Sequence, residues 1–221
     1  MQQVLVIIVT LCIFGCSSHS QNKKIIYDCT IKDTISQEDK FLNVDKYKDE
    51  LYKNGGITLF ENDTILIDVS LNSNSMTKRI KNKKTNIVKA IEYNDITKKI
   101  TSYLFYYMKD GYPDLGKEYH YDQSGNITKV IDHDDRGHYP LCYKEAEAIV
   151  MKKVGKKFEI TSISRESKII NNKTMYYWEV VASKIGSYRF SDKKQFWIDA
   201  KTGKIIKVAK MRLSTDDYLG D

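Results

Sequence analysis

Proline is almost missing from this 221-residue chain, which holds only Pro113 and Pro140. With eleven glycines and no Gly-X-Y period, collagen-like and proline-rich classes are excluded. Arginine is scarce too: Arg79, Arg136, Arg165, Arg189 and Arg212 are all there is, so the formal charge of +7 is carried by lysine. Nucleic-acid readers lean on Arg with stacking aromatics, so no nucleic-acid partner is expected. There is no Walker A loop, no dinucleotide-binding G-x-G-x-x-G, no H-E-x-x-H and no G-x-S-x-G elbow. No catalytic residue, cofactor or resident metal is therefore expected, and the chain is read as a binding protein and not an enzyme. Long apolar runs are lacking as well. The one run, Val4–Phe14, is too short for a hydrocarbon core that needs about 20 residues.

That run, VLVIIVTLCIF, has the length of a secretory h-region, although Met1-Gln2-Gln3 before it carries no basic side chain. Its end, Leu11-Cys12-Ile13-Phe14-Gly15-Cys16 followed by Ser17-Ser18, resembles a bacterial lipoprotein lipobox. The resemblance implies that residues 1–15 are a signal peptide and that Cys16 is acylated as the mature N-terminus. Several fatty chains, palmitate among them, hold a protein stably on a membrane. Ser17, with no acidic residue just after Cys16, resembles lipoproteins kept on the outer membrane and facing the periplasm. Residues 16–24 are polar and read as a tether.

Of four cysteines, Cys12 leaves with the signal and Cys16 takes lipid, so Cys29 and Cys142 remain. In an oxidising compartment two remaining thiols are expected to pair, the alternative being two separate buried thiols. Neither lies in a C-x-x-C or beside a plausible His base, which argues against catalysis or zinc.

Residues 25–138 read as a β-rich domain. Ile25-Ile26-Tyr27 is a candidate strand, and Asn43–Lys53 a short helix stopped at Gly55-Gly56. Strand-like runs follow at Ile57–Phe60, Thr64–Ser70, Met76–Lys81, Asn86–Tyr93, Ile100–Met108, Lys117–Asp122 and Asn126–Ile131, separated by Asn/Asp/Gly/Lys turns. That spacing, with no helix between, predicts an antiparallel meander. In the fifth run Ile100, Ser102, Leu104 and Tyr106 are expected to oppose Thr101, Tyr103, Phe105 and Tyr107. Both sets are bulky, which predicts a central or doubly covered strand. Tyr119–Val130 resembles a YD-type repeat hairpin, with Gly125-Asn126 at its turn.

Residues 139–213 form a second unit, and 214–221 a polar tail. Tyr143–Gly155 predicts a helix with an apolar stripe at Ala146, Ile149, Val150 and Val154 and a stop at Gly155. Strands are expected at Phe158–Arg165, Met175–Ser183 and Gln195–Ala200. The tight turn Asp199-Ala200-Lys201-Thr202-Gly203 leads into Lys204–Arg212. Helix, strand, strand and then FWIDAKTGKIIK resembles the PepSY domain, over about a third of the chain. The expected class is α+β: an antiparallel meander followed by a PepSY-like helix on an antiparallel sheet.

Asp132, His133, Asp134, Asp135 and His138 are metal-capable, but the loop lacks the EF-hand glycine and terminal glutamate and contains Arg136. It reads as a solvated turn. The densest basic run, MTKRIKNKK, holds Lys78, Arg79, Lys81, Lys83 and Lys84. It is either a solvated strand edge or a patch for an acidic protein or anionic lipid. Met175-Tyr176-Tyr177-Trp178 and Phe196-Trp197 are expected to give one face to the core, with Tyr177 and its alternate neighbours free to bind a partner. PepSY domains are associated with inhibition or regulation of peptidases. The resemblance thus implies an envelope lipoprotein that binds and inhibits or modulates a peptidase, or an immunity protein against an envelope-targeting toxin. The alternative is a structural or ligand-binding lipoprotein for cell-wall or lipid fragments.

Overall fold

The computed structural model describes residues 27–31, 35–110, 113–187 and 189–211. The signal peptide, Cys16, the tether, Ile25-Ile26 and the tail 214–221 lie outside the described residues. Among the described residues no helix is long and apolar enough to cross a membrane.

Two antiparallel sheets carry the fold, which is mixed α+β. The larger is an uninterrupted meander, β1 (Gly56–Glu61), β2 (Ile65–Leu71), β3 (Ser75–Asn82), β4 (Ile87–Asn94), β5 (Ile100–Tyr107), β6 (Asp114–Tyr121) and β7 (Ile127–Asp132), in chain order across the sheet. Asx-type turns make the order consecutive. Asn62, Asn82, Asn94 and Asp122 each accept main-chain N–H bonds from residues two to four places on, so each connection closes within a few residues.

One face of this sheet is roofed by residues 35–54. A short 3-10 turn at Asp45–Tyr47 leads into α1 (Lys48–Asn54), which Gly55 ends at φ +71°. Leu42, Val44 and Leu51 join Ile57, Val69, Met76, Ile91 and Tyr93 in the core. The roof is pinned electrostatically. Asp39 pairs with Lys78 at 3.0 Å and Lys89 at 2.9 Å, and its carbonyl accepts the Tyr93 hydroxyl at 2.9 Å.

A bulge alters the predicted alternation in β5. Glu92 opposes Ser102 but Tyr93 opposes Ile100, so Thr101 is the extra residue. Ile100 is thereby moved onto the same face as Tyr103, Phe105 and Tyr107, all four buried. The strand is interior, between β4 and β6.

The second unit opens with α2 (Tyr143–Val154). Cys142 stands at its N-cap, its N–H donating to Glu145, and Gly155 ends it at φ +76°. β8 (Phe158–Ile170), β9 (Lys173–Lys184), β10 (Lys193–Asp199) and β11 (Ile205–Lys210) follow, in the order β11-β10-β9-β8. Ala146 and Val150 of α2 sit in one core cluster with Ile163, Trp178, Val180, Phe196 and Ile198. The Trp178 indole N–H donates to the Leu141 carbonyl at 2.8 Å, fixing the chain that enters the helix.

The two units meet at one joint. Asp110 inserts beside β8, its N–H donating to Thr161 and its carbonyl accepting from Ile163. The Tyr107 hydroxyl and the Lys109 ammonium both reach Glu147 of α2, at 2.9 and 3.1 Å. Arg165 donates to the Asp114 carbonyl at 2.8 Å while lying over the Trp178 ring. Cys29 and Cys142 are joined by a disulfide across 113 residues of chain.

Candidate protein-docking face

Strand alternation divides the second sheet. Trp178, Val180 and Ala182 of β9 and Phe196 and Ile198 of β10 turn toward α2 and are buried. Tyr177, Glu179, Val181, Gln195, Trp197 and Asp199 therefore share the other face, on which no helix packs among the described residues. Register places Glu179 opposite Trp197 and Tyr177 opposite Asp199.

The centre of that face is an aromatic stack. The rings of Tyr177 and Trp197 lie 4.6 Å apart at 28°. The Trp197 indole N–H donates to Glu179 at 3.1 Å, which holds the ring flat. Lys207 from β11 lies 4.2 Å over the ring centroid, and Lys168 from β8 lies 5.7 Å from it. Burial, then the charges of Glu179 and Glu166, push the Tyr177 hydroxyl above its ordinary range, so it stays neutral. The face thus offers a rigid aromatic surface with cations around it, and it can stack, pair and exclude water. Tyr177, singled out from sequence, is only 6% exposed and serves as the platform under Trp197. Trp197 is half-buried, with Tyr177 stacked on it and Lys207 beside its ring. Its signal was present in the sequence, because Phe196-Trp197 alternates on a strand where only one of the two can face a helix.

The basic run at residues 78–84 sits on β3, which lies between β2 and β4 and is not an edge. Its charges are largely used inside the chain. Lys78 faces the roof and pairs with Asp39, Arg79 pairs with its cross-strand partner Asp68 at 2.7 Å, and Lys83 pairs with Glu61 at 2.7 Å. Lys81 and Lys84 make no ion pair among the described residues. The edge reading fails because β3 pairs on both sides. Alternation sends Lys78 to the roofed face, whereas Arg79 and Lys81 share the opposite face of β3.

The Asp132–His138 loop is likewise dispersed. His133 bonds Glu118 at 2.8 Å, Asp134 accepts from Gly116 N–H at 3.0 Å, and His138 bonds Asp135 and stacks on Tyr176. Among the described residues no group of three metal-capable side chains converges. Asp199 closes its turn by accepting from the Thr202 N–H and hydroxyl at 2.6 and 2.7 Å and the Lys201 N–H at 3.1 Å. Burial raises the Asp199 pKa, but these bonds outweigh it and lower the pKa below its ordinary value.

Apart from the face, a groove of about 540 Å³ opens between the N-terminal segment and the larger sheet, lined by Ile31, Ile65, Ile80, Ile87, Phe105 and Lys89 among others.

The fold is α+β, and within the second unit residues 141–209 match the family model described as "Peptidase propeptide and YPEB domain". Among solved structures, the chain is similar to the "Bacillus megaterium YpeB C-terminal domain", at 11% identity over 78% of this chain and 99% of that one, with a TM-score of 0.24. At that score the likeness carries no argument. No curated protein matches the chain.

Proposed function

We propose that the protein is a non-catalytic, lipid-anchored envelope protein that works by binding and restraining a second protein, a peptidase in the first instance. The observation that carries this reading is the pairing of a PepSY match over residues 141–209 with a half-buried Trp197 stacked on Tyr177, on a sheet face of that same unit against which no helix packs among the described residues. A family described by its occurrence in peptidase propeptides supports contact with a peptidase. A flat Trp flanked by cations has the composition of an interface hot spot. The narrower form, immunity toward an envelope-targeting toxin, uses the same face and differs only in the protein that covers it. Lipidation at Cys16 would place that face outside the cytoplasm.

The test is capture from envelope extract through a tag after Asp221, followed by titration of the purified chain against the captured protein. A peptidase or toxin whose activity falls at stoichiometric chain supports the reading. Trp197→Ala is expected to weaken that effect roughly thirtyfold, the size of a central aromatic anchor. Equal potency of wild type and Trp197→Ala would contradict it, as would turnover of a substrate by the chain itself. Cys16→Ser should move the protein from the membrane to the soluble fraction.

The groove beside Ile31 favours a second reading, in which the larger sheet holds an apolar cell-wall or lipid fragment. Four isoleucines and one phenyl ring in its lining, beside Thr30, Asn82, Thr85 and Lys89, are the specific support.

A further inference from the structure

A second basic run lies on the smaller sheet. Between Lys193 and Met211 the chain has six lysines, at positions 193, 194, 201, 204, 207 and 210, against one acid, Asp199. That acid is engaged by its own turn. None of the six lysines makes an ion pair among the described residues; Lys193, Lys194 and Lys207 lie over the rings of Phe190, Phe158 and Trp197. All six belong to β10, β11 and the turn between them, and β11 is the last strand of its sheet, paired on one side only, with β10. Its other side carries a row of main-chain N–H and C=O groups with no strand against them among the described residues.

The two flanks of this edge differ. On the open face Lys207 lies beside Trp197. On the helix side Val208 follows Phe196 and Ile205 follows Ile198, and Val208 is 51% exposed, so the apolar surface continues to the rim. A strand laid against β11 would set alternate side chains on the side of Lys207 and on the side shared by Val208 and Lys210.

We propose that β11 is a strand-addition site for an extended acidic segment of the partner protein, in which acidic and apolar residues alternate. This deepens the reading above and rests on it for the identity of the partner. Main-chain bonds to the free edge supply affinity without sequence preference, and the uncompensated lysines choose the sign of the charge. The same lysines repel a second copy of this edge, so the edge excludes self-association while admitting an acidic strand.

The experiment uses the full chain and a synthetic peptide of alternating Glu and Val, followed by fluorescence anisotropy. Saturable binding is expected, weakening about tenfold or more as salt rises from low to physiological levels. The triple variant Lys204→Glu, Lys207→Glu, Lys210→Glu should weaken it at least tenfold while leaving the circular dichroism spectrum unchanged. Lys81→Glu with Lys84→Glu on the other sheet should leave it intact. A peptide N-methylated at alternate residues along one edge keeps its charge and loses those main-chain donors, and it should not bind. Equal binding of the N-methylated peptide, or of the triple variant, would overturn the proposal. So would a chain that binds phosphatidylglycerol vesicles through these lysines and ignores the peptide. If peptide binding fails while the captured partner is still restrained, strand addition is wrong and the broader reading stands. If the peptide binds but no envelope protein is restrained, strand addition survives and the broader reading falls.

Discussion

Asp39 shows how one side chain organises the larger unit. Its side chain is 12% exposed and sits between two lysines that are scarcely more accessible. Burial pushes its carboxyl pKa up, but the hydrogen bonds and charges of Lys89 and Lys78 outweigh that and bring it down to about 2. A carboxyl lowered in the folded state stabilises above its unfolded pKa, near 4, and loses that contribution as pH falls toward 2. The expected outcome is an acid-induced loss of stability over that window which Asp39→Asn flattens. Asp39→Asn itself should cost on the order of 2–4 kcal/mol at neutral pH, because two lysines are left without their anion. Urea melts at several pH values check both. An unchanged acid limb in Asp39→Asn would show that the roof is not pinned there. Trp197 is the matching residue for function: Trp197→Ala should lower stability by about 1–2 kcal/mol through the lost stack on Tyr177 and bond to Glu179, while partner binding falls by the factor given above.

At the scale of elements, the turn Asp199–Gly203 makes a separate prediction. Gly203 has φ +72°, and a Cβ there would stand 3.0 Å from Ile149 Cδ1 of α2. Gly203→Ala should therefore destabilise by about 1–3 kcal/mol through backbone strain and the helix contact, read from chemical denaturation. A smaller effect would mean that the turn relaxes out of its left-handed conformation when Ala is present. Much of this level was legible in the sequence. Each strand of the meander is bounded by an Asn, Asp or Gly whose turn chemistry is local, and α2 carries both its apolar stripe and its stop. What was not legible depends on partners remote in sequence. The bulge at Thr101 arises from pairing with β4 and reverses the parity of Ile100. Lys78 reads as solvent-facing until Asp39, 39 residues earlier, is placed over it. The exposed basic edge was hidden for the same reason, since a lysine's freedom depends on which acids the fold brings near.

At the scale of the whole molecule, the two sheets form one body through Asp110, the Tyr107–Lys109–Glu147 cluster, Arg165 and the Cys29–Cys142 disulfide. A bridge closing so long a loop contributes about 3–5 kcal/mol in the chain-entropy account. Cys29→Ser with Cys142→Ser should lower stability by that order in thermal or chemical melts, whereas a loss well under 1 kcal/mol would mean the joint holds without it. The joint matters because it ties the unit that carries the Trp197 face and the β11 edge to the larger sheet. The claim on which the proposed function depends is that the Trp197 face of the second unit is where another protein sits. The most direct measurement places a photoreactive phenylalanine analogue in place of Trp197 in the full-length protein, irradiates intact cells and resolves the adducts by mass. Ile96, exposed on the turn between β4 and β5, serves as the comparison site. The account predicts a discrete protein adduct from the Trp197 position and none from Ile96; no adduct from Trp197, or equal yields from both, would contradict it.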